Sequence, residues 1–176
     1  FETIGNATLI VHDTKPVLAA DPWIKGSAYF GSWTRSHEIP AEQMESIGQC
    51  EYIWLSHGHP DHLSVPSLRL FKDKTLLLAD HAGGRIANDL RGLGFNVQIL
   101  GDRVWTNLSP HINVMSVADY NQDSLLLVDL DGTLLVNLND MSPKGWGPLV
   151  QREIHKHKRS FLLQGFCYDA DTINFF

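Results

Sequence analysis

The chain has 176 residues, is 43% hydrophobic and carries a formal net charge of −6. This length supports one sizeable core and gives no reason to divide the chain, so we expect a single domain over residues 1–176. Because the sequence begins at Phe1, we also expect that domain to lack residues at one or both ends. With 14 Lys and Arg against 20 Asp and Glu, the composition argues against a nucleic-acid surface, which needs clustered basic side chains.

The sequence also predicts a compartment. No apolar run approaches the roughly 20 residues of a membrane helix, and no charged-then-apolar leader is visible, so no membrane span is expected. Cys50 and Cys167 lie far apart without a paired spacing, which predicts reduced thiols rather than a disulfide framework. Together these features favour a cytoplasmic protein.

The first half of the chain alternates strands and helices. Two apolar runs separated by Asp13, Thr14 and Lys15 predict a strand pair, and residues 24–40 predict a long loop, a kind of segment that often carries function. "EYIWLS" (51–56) predicts a buried strand, and "HPDHLSVPSLRLF" (59–71) predicts a helix with Pro60 in its first turn. "TLLLAD" (75–80), "GGRIANDLRGL" (83–93) and "NVQILG" (96–101) predict a strand, a helix and a strand.

The second half is nearly all strand. Four strands are predicted in residues 103–139, the last two joined at Asp131-Gly132, a strong hairpin signal because both turn positions favour positive φ. A helix over residues 146–158 and a strand over 160–166 complete the pattern.

The most informative segment is "SHGHPDH" (56–62), directly behind the buried strand. In an extended backbone alternate side chains point the same way, so His57 and His59 can hold one metal ion. Asp61 and His62 follow the turn at Pro60 and can hold a second ion. Two ions about 3.5–4 Å apart form a common clamp for hydrolysis.

"SHGHPDH" resembles the H-x-H-x-D-H signature of the metallo-β-lactamase superfamily, and the similarity extends over nearly the whole chain. It implies an α/β fold, an αββα four-layer sandwich of two mixed sheets flanked by helices. The segments "DPWIKGSAYFGSW" and "NLNDMSPKGW" resemble the branch that contains ascorbate-phosphate lactonase and, more closely, the β-lactamase-like part of sialic-acid hydroxylases. Fold similarity alone does not fix the reaction.

The resemblance assigns further roles. Asp21 matches an aspartate that braces the metal loop, although it could instead cap a turn before Pro22. Asp140 matches the carboxylate that bridges the two ions, the alternative being a turn-forming residue before Ser142.

The sequence departs from the family pattern at two places. Where the family has a third histidine, the chain offers Asp119 and Asp123, and we expect Asp119 to complete the first site because it directly follows a strand. No histidine follows the final predicted strand, so either residues outside this sequence supply the last ligand of the family or the site is incomplete.

Three functions remain open from the sequence. The first is a dinuclear metal-dependent hydrolase that uses metal-bound hydroxide on a small anionic ester, lactone or phosphoester, with Asp61 also accepting its proton. The metals would be two divalent ions, zinc first, with iron or manganese as alternatives. The second is a diiron oxygenase, and the third a non-catalytic domain with a degenerate site. The small-molecule substrate would contact Trp33, Lys144 and Trp146, although Lys144 also fits a solvated helix start.

Overall fold

The structure is a computed structural model that describes residues 1–142 and 145–163. Its strands form a six-stranded sheet in the order β1-β2-β3-β4-β5-β6 and a five-stranded sheet in the order β11-β10-β9-β8-β7. The first sheet comprises β1 (Glu2–Gly5), β2 (Thr8–Asp13), β3 (Lys15–Ala20), β4 (Tyr52–Leu55), β5 (Thr75–Ala79) and β6 (Asn96–Leu100). The second comprises β7 (Thr106–Ser109), β8 (Ile112–Ala118), β9 (Ser124–Leu130), β10 (Thr133–Asn137) and β11 (Arg159–Leu163).

Both sheets are mixed. In the first sheet β1, β2 and β3 pair antiparallel, whereas β3, β4, β5 and β6 pair parallel. In the second sheet β10 and β11 pair parallel and the other neighbours antiparallel. The helices are α1 (Ala41–Gln49), α2 (Val65–Leu68), α3 (Arg85–Gly92) and α4 (Gly147–Lys156).

Three buried clusters show how the layers stack. Ile53 and Leu55 of β4 pack with Ile47 of α1 and Leu90 of α3 on the outer face of the first sheet. Trp54, between them in sequence, faces the opposite way and packs against the second sheet. A third cluster joins the other face of the second sheet to α4. Alternate residues of each central strand therefore serve two different cores, and the expected αββα sandwich of two mixed sheets is confirmed.

Most strand predictions agree with the structure. The hairpin between β9 and β10 turns at Asp131 (φ 50°) and Gly132 (φ 83°), the positive values expected for this dipeptide. Residues 24–40 form a loop that contains a short 3₁₀ turn at Tyr29–Gly31 and an isolated antiparallel bridge between Ala28 and Trp33. None of the helices within 1–142 and 145–163 is long and apolar enough to cross a membrane.

One helix boundary was predicted wrongly. The chain after β4 forms a turn at Pro60, Asp61 and His62, and α2 begins only at Val65. Ser64 caps α2 by accepting a hydrogen bond from the Ser67 backbone N–H at 3.4 Å. The turn, rather than a helix, therefore orients the Asp61 and His62 side chains.

Candidate metal centre

The centre forms where two strands end at one edge of the sandwich. His57, His59, Asp61 and His62 follow β4 of the first sheet, and Asp140 lies three residues beyond β10 of the second. The two sheets pack face to face, so these strand ends meet although about eighty residues separate them. The five side chains that the sequence placed around one point are brought together.

The first donor group consists of two imidazoles and one carboxylate. His57 Nε2 lies 2.7 Å from His59 Nδ1 and 3.7 Å from Asp140 Oδ2. Ligand atoms of these three residues all lie within 4.8 Å of one another. Two ligands about 2.1 Å from one tetrahedral ion stand about 3.4 Å apart. The two ring nitrogens must therefore separate by several tenths of an ångström to share an ion.

The second donor group shares the same aspartate. His62 Nε2 lies 3.5 Å from Asp61 Oδ2 and 3.4 Å from Asp140 Oδ2. Asp140 Oδ2 is thus within 3.7 Å of ring nitrogens from both groups. A carboxylate in this position is close to both histidine groups, and the two distances from His62 Nε2 are near the 3.4 Å expected for ligands of one tetrahedral ion.

The Asp21 carboxylate fixes the orientation of the His62 ring. This carboxylate is completely buried and accepts hydrogen bonds from the Ser56 backbone N–H at 2.8 Å, Ser56 Oγ–H at 2.7 Å and Asn139 Nδ2–H at 2.9 Å. His62 Nδ1 lies 3.0 Å from the same carboxylate and donates to it. The nitrogen that remains, Nε2, therefore faces Asp61 and Asp140.

Ser56 orients the first histidine in a similar way. The Ser56 hydroxyl donates its proton to Asp21, so its oxygen accepts a hydrogen bond from His57 Nδ1–H at 2.9 Å. The lone pair of His57 is then on Nε2. Ser56 and Asn139 were missed by the sequence analysis. Each directly precedes a predicted ligand, His57 or Asp140, and this position in the sequence is the signal that could have identified them.

The protonation states follow from burial and charge. Burial, with a contribution from neighbouring His62, lowers the pKa of His57 to about 4, so this ring is neutral at pH 7. Burial also lowers the pKa of His62, but Asp21 and Asp140 outweigh it and raise that pKa to about 10. A metal ion would therefore displace a proton from His62.

Tyr29 reaches the centre from the long loop. Its hydroxyl donates to Asp61 Oδ1 at 2.8 Å, while the other Asp61 oxygen faces His62. Its ring packs edge-on against Trp33, with centroids 5.0 Å apart. The loop therefore borders the centre through Tyr29, and the expected contact of Trp33 with substrate stays a prediction.

The choice between Asp119 and Asp123 stays a prediction, and the two side chains have different contacts. Asp119 Oδ1 accepts from the backbone N–H groups of Asn121 and Asp123, at 2.8 and 3.1 Å, and so closes its own turn. Asp123 Oδ1 instead lies 3.9 Å from His57 Nδ1. Burial, together with the Asp119 and Asp140 carboxylates, raises the pKa of Asp123 to about 6.

Two expected substrate contacts have other outcomes. Trp146 is 1% exposed and packs in the core beneath α4, where its Nε1–H donates to the Ser142 carbonyl, so it cannot line a substrate site. The Trp146 ring packs against Val150 and apolar residues of the second sheet. Lys144, like Cys167, lies outside the described residues.

The fold and the donor groups define a class. The chain has a metallo-β-lactamase-like fold, as do solved structures that resemble it. CmlA, a diiron β-hydroxylase from Streptomyces venezuelae, superposes with a TM-score of 0.65, at 14% identity over 85% of this chain and 31% of that one. Igni18, a metallo hydrolase from Ignicoccus hospitalis, gives 0.59 at 14% identity over 85% of this chain and 64% of that one. Identities this low establish the fold alone.

Curated relatives are more similar in sequence. The cytidine monophosphate-N-acetylneuraminic acid hydroxylase of Danio rerio is 27% identical over 138 residues, which are 73% of this chain and 23% of that protein. A Mycobacterium tuberculosis protein that carries the name of a Rieske 2Fe-2S iron–sulfur protein is 31% identical over 96 residues, 53% of this chain and 18% of that protein. The chain thus spans about a quarter or less of these relatives. No family model matches it.

Proposed function

We propose that this chain forms the metal centre of an iron-dependent oxygenase that hydroxylates a small anionic substrate. His57, His59 and Asp140 supply two imidazoles and one carboxylate whose ligand atoms lie within 4.8 Å of one another. This donor set is typical of non-haem iron(II) oxygenases. The sequence relatives named as a hydroxylase and as an iron–sulfur protein support the same chemistry.

The residues of the centre would hold two ions with Asp140 between them. His57 and His59 would bind one ion, and Asp61 and His62 the other. Asp123, whose Oδ1 lies 3.9 Å from His57 Nδ1, would be a further carboxylate beside the first site. Asp21 and Ser56 would keep both histidine rings turned with Nε2 toward the metals. When bound, iron supplies the activation of dioxygen that hydroxylation requires.

The reaction needs a source of electrons. Hydroxylation places one oxygen atom of O₂ in a C–H bond and reduces the other to water, which consumes two electrons and two protons. A one-electron carrier must therefore supply the enzyme twice per turnover. We infer a Rieske-type iron–sulfur centre as the donor, on the strength of the mycobacterial relative's name.

Metal-dependent hydrolysis, which the sequence analysis placed first, becomes the second candidate. The specific observation in its favour is the second donor group, in which the buried Asp61 carboxylate stands 3.5 Å from His62 Nε2. Such a carboxylate can accept a proton from an attacking water. Zinc also outranks iron(II) in affinity for a given site of nitrogen and oxygen ligands. We rank the oxygenase before the hydrolase because the hydroxylase relatives are similar in sequence, whereas the hydrolases are similar only in fold.

Reaction with oxygen separates the two functions. The chain is loaded anaerobically with iron(II) or with zinc and then exposed to oxygen without substrate, and oxygen uptake and the visible spectrum are followed. We expect uptake and a new absorption band for the iron form alone, and loss of both in Asp140→Ala. Uptake no greater than that of Asp140→Ala, together with ester or phosphodiester hydrolysis by the zinc form, would overturn the proposal.

A further inference from the structure

A cavity of about 400 Å³ lies beside the metal centre. It is formed by the end of β1, the start of the loop after β3 and the segment 32–39. Its lining includes Asn6, Trp23, Trp33, Arg35, His37 and Ile39. None of its lining residues within 1–142 and 145–163 is Asp or Glu, although the chain as a whole has a net charge of −6. The volume is within the range of small-molecule sites.

Two lining residues connect the cavity to a candidate metal ligand. Asn6 Nδ2–H donates to the backbone carbonyl of Asp61 at 2.9 Å. Trp33 packs against Tyr29, whose hydroxyl donates to Asp61 Oδ1. A molecule in the cavity would therefore be one residue away from the metal centre on two sides.

The cavity wall holds N–H donors that lack acceptors. Trp23 is 4% exposed, and its Nε1–H makes no hydrogen bond to any residue in the described ranges. Arg35 Nε–H is also shielded and has no acceptor there, although Nη1 donates to the Gly26 carbonyl at 3.3 Å. Among the residues described, Arg35 has no carboxylate within 4.0 Å. Buried donors without acceptors are rare in folded proteins, and both of these belong to residues that line the cavity.

Trp33 gives the cavity an apolar side. Trp33 is 46% exposed, whereas tryptophan residues are on average highly buried. Two backbone hydrogen bonds with Ala28, of 3.0 and 3.3 Å, fix the position of its backbone. A planar or aliphatic group of a ligand can therefore pack on this ring while its charge lies near Arg35.

We propose that this cavity binds the anionic group of the substrate, a carboxylate or a phosphate, through the Arg35 guanidinium, with the apolar part of the same molecule against Trp33. The inference rests on the proposed function in that the bound molecule extends toward Asp61 and the metal centre.

The test uses phenyl phosphate, benzoate and neutral benzyl alcohol as probes. Isothermal titration calorimetry is performed on the protein as isolated and again after chelation, because a phosphate can also bind a metal directly. We expect at least one of the two anions to bind in both forms and benzyl alcohol to bind at least tenfold more weakly. Comparison of phenyl phosphate with benzoate shows which anionic group the cavity prefers.

Three variants complete the test. Arg35→Gln is expected to weaken binding of the preferred anion at least tenfold, because a charge-assisted contact is lost. Trp33→Leu should weaken it severalfold, and Arg152→Gln, an exposed arginine of α4, should leave it unchanged. Unfolding temperatures confirm that the variants fold. Equal binding by Arg35→Gln, equal binding of benzyl alcohol, or loss of all binding on chelation would overturn the proposal.

The oxygen assay distinguishes this proposal from the proposed function. Arg35→Gln is expected to retain the metal content of the wild type and its substrate-free reaction with oxygen. If wild type fails to react with oxygen while anion binding still depends on Arg35, the proposed oxygenase is wrong and the anion site stands. If wild type reacts with oxygen and Arg35→Gln binds the anion as tightly as wild type does, only the anion site is wrong.

Discussion

Asp119 and Asp123 illustrate how a choice between neighbouring carboxylates depends on the turn between them. Both follow β8 and precede β9, and the Asp119 side chain closes that turn by accepting from two backbone N–H groups. This leaves Asp123 facing His57. Sequence position could not reveal this difference between the two aspartates, since an aspartate directly after a strand serves equally well as a metal ligand or as a turn-former.

Substitution of each aspartate tests that choice. Asp123→Ala should lower the metal content of the purified protein, because it removes a carboxylate that lies 3.9 Å from the His57 ring. Asp119→Ala should retain metal and lose only turn stability, about 1 kcal/mol. Metal analysis with thermal unfolding measures both effects. Loss of metal in Asp119→Ala alone would restore the original assignment.

Asp21 is the residue on which the orientation of the centre most depends. Asp21→Ala would leave the N–H and O–H donors of Ser56, His62 and Asn139 buried without their acceptor. We expect a loss of about 1–3 kcal/mol in the free energy of unfolding and about 10- to 100-fold weaker metal binding. The control is Asp73→Ala, whose side chain is 72% exposed. Equal effects of the two substitutions would contradict the bracing role.

At the scale of elements, strands were predicted better than the boundaries of helices. β8 and β9 coincide with their apolar runs because every second residue enters one of two cores. The start of α2 was misplaced because Pro60 fits a turn as well as a first helical turn, and only tertiary contacts decide between them. Trp146 was misassigned because an aromatic residue before a helix has the same sequence signature in a core and in a site.

Trp146 and Trp33 now have opposite expected roles. Trp146→Ala removes a fully buried ring beneath α4 and should cost about 3–5 kcal/mol in the free energy of unfolding. Trp33→Ala should cost less than about 1 kcal/mol, because the side chain is half exposed and lies in the loop. Urea unfolding curves of both variants measure the difference. Similar losses would show that one of the two positions is misjudged.

Cys50, at the end of α1, gives a pH dependence that does not involve the metal centre. Burial raises the pKa of its thiol to about 12, against a smaller lowering by Lys74. The unfolded thiol ionises near 9, so the neutral thiol stabilises the fold below that pH. This contribution is lost as the pH rises from 9 toward 12.

The thiol reaction with Ellman's reagent at pH 8 checks this prediction in a Cys167→Ser background. Native Cys50 should react slowly and unfolded Cys50 rapidly, since the thiolate is the nucleophile. Replacement of Cys50 by Ala should also remove part of the stability loss above pH 9. Rapid labelling of the native thiol would contradict the buried assignment.

At the scale of the whole molecule, the sandwich explains why the centre needs both sheets. The first sheet supplies four donors from residues 57–62 after β4, and the second supplies Asp140, which stands between them. Packing of β4 and β5 against the second sheet through Trp54 and Leu77 sets the distance between the two contributions. The site is therefore a property of the assembled layers rather than of either segment alone.

The central claim is that Asp140 joins two metal ions, and X-ray absorption at the metal edge tests it most directly. The protein is loaded to saturation with iron and the extended fine structure is recorded for wild type and for Asp140→Ala. We expect a metal–metal distance of about 3.5–4 Å in wild type and its loss in the variant. A wild-type protein that binds one ion per chain by metal analysis, and whose spectrum contains no metal–metal contribution, would contradict the account.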